Sequence, residues 1–127
     1  MNIEDIQKKI DATEYWDLEI INFEIKYFGD EINLYIYDTD ETSWKIIFSS
    51  CYQVQYETDA NWRTIENVKN MKKPQLGYYG QDISINFDGN FICVKLDLTI
   101  MTVNLKCRNI EVENINNSEI EIFWKNN

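Results

Sequence analysis

No histidine occurs anywhere in the 127 residues. That absence excludes Ser-His-Asp and Cys-His nucleophile pairs and any histidine-ligated metal. Cysteine is scarce too: Cys51, Cys93 and Cys107 form an odd, widely spaced set with no C-x-x-C pair. Neither a disulfide framework nor a structural zinc site is expected, and the thiols are expected to be reduced. Cys93 and Cys107 alternate with apolar neighbours in "FICVKL" and "VNLKC" and read as buried, inert strand residues, while Cys51 in "FSSCYQ" has no histidine to activate it. There is no P-loop and no G-x-G-x-x-G. No run approaches the roughly 18 consecutive apolar residues of a membrane helix, and "MNIEDIQKKID" mixes charges with single isoleucines instead of forming a signal-peptide core. A cytoplasmic protein with no cofactor and no metal is expected.

Positive charge is also in short supply. Twelve Lys and Arg stand against 22 Asp and Glu, for a formal net charge of −10. Nucleic acid and anionic lipid both require clustered Lys and Arg, so neither is an expected partner. A basic partner is favoured, because long-range attraction accelerates its encounter. The length fits one domain spanning 1–127, and a hydrophobic content of 44% suits a chain that folds rather than one that stays disordered.

Only one proline and four glycines are present, and "PQLGYYGQDISINFDG" holds the proline and three of the glycines. Around this run the chain alternates like sheet. The opening segment reads as a short helix capped by Asn2, with Ile3, Ile6 and Ile10 on one face. "DLEIINFEIKYF", through Phe23, Ile25 and Tyr27, meets a turn at Gly29-Asp30. "EINLYIYD" then places Ile32, Leu34 and Ile36 opposite Tyr35 and Tyr37, and "SWKIIFSSCYQVQYET" returns as the third member of an antiparallel meander. Asp59 reads as the cap of a helix over "ANWRTIENVKNM", with Trp62, Ile65 and Val68 on its stripe. Asp88-Gly89 joins two alternating segments as a hairpin. Beyond it, residues 91–107 switch phase near Met101; straight, they would span about 55 Å, so a bulge, bend or turn is required. "IEVENI" and "EIEIFW" read as two final strands with Glu111, Glu113, Glu119 and Glu121 wet. The expected class is α+β: a curved, mostly antiparallel sheet of about six or seven strands with one or two short helices on it, the alternative being a β-sandwich or flattened barrel.

Candidate chemistry is sparse. "DTDET" offers Asp38, Asp40 and Glu41 as oxygen ligands, but without the glycine and glutamate spacing of a calcium loop it reads as a solvated turn. Lys69, Lys72 and Lys73 form the one basic cluster. Tyr78 and Tyr79 sit between glycines; in an extended segment they point to opposite sides, so at most one is expected to be buried, leaving the other as an exposed anchor.

The segments "DLEIINFEIKYF", "WKIIFSSCYQVQYETD", "GYYGQDISI" and "VKLDLTIMTVNLKCRNIEV", in this order, resemble the small acidic immunity proteins of Firmicutes polymorphic and contact-dependent toxin systems. The resemblance implies a binding protein with no catalytic residues, whose partner is a cognate toxin with a basic surface. A nuclease toxin, occluded at its active site, fits the acidity. The expected partner-binding residues are Tyr78 and Tyr79 as anchors, with Asp38, Asp40 and Glu41, or Glu57 and Asp59, as charge partners. A monomer or weak homodimer is expected. The rival reading is a small-molecule binder with an apolar cavity inside a curved sheet.

Overall fold

The computed structural model describes residues 2–59 and 67–124. Helix α1, Ile3–Asp11, begins as expected: the Asn2 side-chain oxygen accepts from the Glu4 amide at 2.8 Å. Glu4 and Asp5 lie at its positive end, Lys8 and Lys9 at its negative end, and Ile6 and Ile10 are buried beneath it. Nine residues are too few to hold a helix alone, so this buried face is what keeps it formed. The helix expected after Asp59 lies largely outside the described residues, and its described end, Val68–Asn70, is a 3₁₀ turn.

Among the described residues eight strands follow: β1 Ile20–Lys26, β2 Glu31–Tyr37, β3 Thr42–Ser49, β4 Gln53–Thr58, β5 Asp82–Asp88, β6 Phe91–Asp97, β7 Met101–Cys107 and β8 Asn109–Asn116. They form two antiparallel sheets of four, β1-β2-β3-β8 and β4-β7-β6-β5. The mostly-sheet α+β class holds, with eight strands in two sheets in place of six or seven in one.

The division into two sheets has a local cause. β3 pairs with β8 as far as Ser49↔Asn109, and β4 pairs with β7 from Gln53↔Lys106. Residues 50–52 therefore oppose only 107 and 108, and Ser50 turns the chain at φ 52°. An extra residue on one strand of a pair bends the ladder. Both strands leave one sheet and enter the other together. "SWKIIFSSCYQVQYET", read as a single returning strand, is thus two. The phase slip near Met101 is a tight turn: Thr99 has φ 71°, and the Leu98 amide donates to the Met101 carbonyl at 2.8 Å.

Two strand ends differ from expectation. Tyr27, Phe28 and Gly29 all have positive φ (55°, 59° and 94°), so Tyr27 belongs to the turn and not to the strand. "EIEIFW" forms no strand. After the 3₁₀ turn Asn117–Glu119, residues 120–124 are tied across β1 by side chains: Trp124 Nε1 donates to the Ile21 carbonyl at 3.3 Å, and Asn22 Nδ2 to the Glu121 carbonyl at 3.2 Å.

One apolar core fills the space between the sheets, with Ile32, Leu34, Ile36, Ile46, Phe48, Leu96 and Val103 fully buried. A second cluster lies on the far side of the first sheet, where Met71, Leu76, Ile120 and Trp124 cover Ile21 and Tyr35. Segments 67–80 and 117–124 therefore form a partial third layer.

Candidate functional site

The glycine-bounded tyrosines are built into this third layer. The Ile20 amide donates to the Tyr78 carbonyl at 2.9 Å, the Gly80 amide to the Leu18 carbonyl at 2.9 Å, and the Asp17 amide to the Gly80 carbonyl at 2.8 Å. A Cβ on Gly80 would collide with the Tyr15 carbonyl oxygen, so only glycine permits this approach. Tyr78 and Tyr79 are both half-buried, so neither is the exposed anchor expected of one of them. Tyr78 packs against both apolar clusters, and its hydroxyl shares a 2.7 Å hydrogen bond with Thr58 Oγ1. The Tyr79 carbonyl accepts from Thr99 Oγ1 at 3.1 Å.

The two acidic groups fall in different places. In the β2–β3 turn, Asp38 accepts from Thr42 Oγ1 and Asn114 Nδ2, both at 3.0 Å. Asp40 accepts from the Tyr37 hydroxyl at 3.0 Å, which raises that phenol's pKa above its ordinary value. Asp40 lines a cleft of about 460 Å³ together with Lys72 and Lys73, whereas Glu41 is exposed at the tip. Lys73 reaches Glu19 at 3.7 Å and stands 5.0 Å from the centre of the Tyr37 ring. This cleft thus carries its own cations.

Glu57 and Asp59 lie at the far end of β4. Glu57 is registered with Thr102, Thr102 with Asp97, and Asp97 with Asp82. Cross-strand partners project from the same face, with neighbouring strands about 4.8 Å apart. Three carboxylates therefore share one row on the outer face of the second sheet, with Asp59 just beyond. At the other end of that sheet are Lys106, ion-paired to Asp88 at 3.3 Å, and Arg108, 4.9 Å over the Phe91 ring. The carboxylates thus gather at the exit of β4, while at its entry Lys106 and Asp88 offset each other.

Beside the acidic row, the edges of β1 and β4 approach each other across an apolar groove of about 270 Å³. Ile20, Phe23, Tyr56, Met101, Tyr78 and Phe123 line it. The Phe23 and Tyr56 rings meet edge-on at 5.9 Å, while Tyr56 and Phe123 remain 54% and 41% exposed. Sequence reasoning passed over Tyr56. The available signal was an aromatic residue inside "QVQYET", a strand otherwise almost wholly polar.

Cys51 and Cys107 are buried as neighbours, and their mutual hydrogen bond raises the Cys107 pKa and lowers that of Cys51. Cys93 is half-buried on the outer phase of β6, not in the core as expected. Among the described residues no three His, Cys, Asp or Glu side chains converge to hold a metal, and no helix is long and apolar enough to cross a membrane.

Phenol ionisation is linked to the fold. Burial raises the pKa of Tyr35, whose hydroxyl donates to Glu24 Oε1 at 2.7 Å, and burial likewise raises that of Tyr15. A folded pKa above the unfolded value of about 10 means that the stabilisation is complete below that pH and is lost as pH rises through the folded value. Urea midpoints are therefore expected to fall above about pH 10, and Tyr35→Phe is expected to flatten that slope.

A family model described as immunity protein PIM7 matches residues 2–114. No curated protein matches the chain. Among solved structures, an uncharacterised protein from Neisseria gonorrhoeae is similar in fold, with a TM-score of 0.54 and 15% identity, covering 78% of this chain and 92% of that one.

Proposed function

The chain belongs to the PIM7 family of immunity proteins, and from that premise we propose that this toxin-neutralising protein blocks a nuclease by occupying its active-site cleft. The observation that carries the nuclease reading is the row Glu57, Asp97 and Asp82, set at one end of a chain of net charge −10. A cleft that holds nucleic-acid phosphates must be basic, so a carboxylate strip beside an apolar groove is complementary to it. Such complementarity raises association rates toward 10⁸–10⁹ M⁻¹s⁻¹ at low salt, and desolvated aromatics then slow dissociation.

Of the sequence-derived residues, Glu57 and Asp59 suit the charge role better than Asp38, Asp40 and Glu41, whose turn is internally bonded and lies beside Lys72 and Lys73. Tyr78 lines the groove itself, and Tyr56, more exposed, takes the anchor role in place of Tyr78 and Tyr79. On this reading the protein acts as a stoichiometric inhibitor and not as an enzyme. Co-expression with the C-terminal domain of any toxin encoded upstream is expected to restore growth and to yield a co-purifying one-to-one complex. Loss of both, with the toxin domain intact, would remove the proposal.

A further inference from the structure

The four sheet edges are not treated alike. The outer edge of β5 is occupied by side chains acting as a substitute strand: Gln7 Nε2 donates to the Ile83 carbonyl at 2.9 Å, Gln7 Oε1 accepts from the Ile85 amide at 3.3 Å, and the Tyr15 hydroxyl accepts from the Ile83 amide at 3.0 Å. Helix α1 packs along both β5 and β8. The edge of β1 is tied at the Ile20 amide and the Ile21 carbonyl by Tyr78 and Trp124.

β4 is different. Among the described residues its backbone is registered with β7 alone, and apart from Val54 its residues are exposed. The Asp59 amide donates to the Ile100 carbonyl at 2.7 Å, continuing the Thr58↔Met101 register. Antiparallel pairs alternate, so the amides of Gln53, Gln55 and Glu57 face β7, and those of Val54, Tyr56 and Thr58 face outward. No backbone group among the described residues pairs with that outer side. Among the described residues neither a proline nor a cover blocks this edge, and its one charged residue, Glu57, disfavours an acidic added strand while admitting a basic one.

We infer that the outer edge of β4 is the toxin-docking surface, and that it takes an extended basic segment of the toxin as a fifth strand of the second sheet. The inference rests on the toxin-neutralising reading above and adds the mode of contact. An added strand would project alternate side chains to opposite faces. One set enters the groove between Phe23, Tyr56 and Phe123; the other lies beside Glu57 at the acidic end of the outer face. The segment that fits therefore alternates apolar residues with Lys or Arg. A second copy of this chain is a poor occupant, because each carries a net charge of −10.

Amide hydrogen exchange on the free protein and on its complex with the co-expressed toxin C-terminal domain tests this without any mutation. The amides of Val54, Tyr56 and Thr58 are expected to exchange freely alone and to become protected in the complex. As a second measurement, Tyr56→Ala is expected to weaken binding about tenfold by removing the anchor ring. Tyr56→Pro, which also removes the outward N–H at an edge position that tolerates proline, is expected to weaken it at least about tenfold further. A neutralising complex in which these amides still exchange would overturn the docking mode and leave the immunity role standing. A free protein that is already a dimer with the three amides protected would overturn it as well. If no complex forms at all, the proposed function falls and this inference with it.

Discussion

Gly80→Ala is expected to cost about 2–3 kcal/mol of stability, the upper part of the range for forcing volume into a packed site, and to lower Tm by roughly 6–12 °C. The new Cβ would meet the carbonyl oxygen of Tyr15, a backbone atom that cannot swing aside. Tyr15 is fully buried, and its hydroxyl accepts from the Ile83 amide, so any shift propagates from the loop into the edge of β5. Gly89 is the natural control. Its φ of 63° strains alanine, but nothing lies near its Cβ, and the expected cost is about 1–2 kcal/mol. Thermal or urea unfolding of both variants decides the point. A Gly80→Ala protein as stable as the parent would mean that the 77–80 segment is not pinned as described.

Reversing two charges in the carboxylate row is expected to act on binding and not on the fold. Glu57→Lys combined with Asp97→Lys places like charges against a basic cleft, which costs several kcal/mol of affinity, about a 100-fold loss or more. Folding stability is expected to hold or to rise by up to about 1 kcal/mol, because Asp97 and Asp82 are registered partners of the same sign. Asp40→Lys, in the β2–β3 turn, is expected to leave toxin binding nearly unchanged. Affinities measured by titration calorimetry at two salt concentrations separate these cases. Equal affinities for the parent and the doubly reversed variant would show that the acidic row faces solvent in the complex.

The sequence disclosed most of the strands, because period-two alternation survives wherever one face is buried and the other is wet. β7 is such a case, with Met101, Val103, Leu105 and Cys107 buried and Thr102 and Asn104 exposed, whereas in β2 the tyrosine face is covered by the third layer. The phase slip near Met101 was legible because a strand cannot turn its side chains over without breaking. What stayed hidden depended on distant partners. The break at Ser50 has no glycine or proline to announce it and arises from a mismatch against residues 107 and 108. "EIEIFW" alternates like a strand, but its backbone is tied to β1 only by the side chains of Trp124 and Asn22. The same holds for the site. Asp82, Asp97 and Glu57 are up to 40 residues apart and are aligned only by register, so local composition offered Glu57 and Asp59 beside "DTDET" but not Asp82 or Asp97.

Neutralisation by contact rather than by bond chemistry is tested most directly by titrating the toxin domain's activity with the purified protein. The expected result is a linear loss that is complete at one equivalent and is reversed when high salt separates the pair. Complete inactivation by a small fraction of an equivalent, abolished by a single Asp, Glu or Cys substitution in this chain, would contradict it.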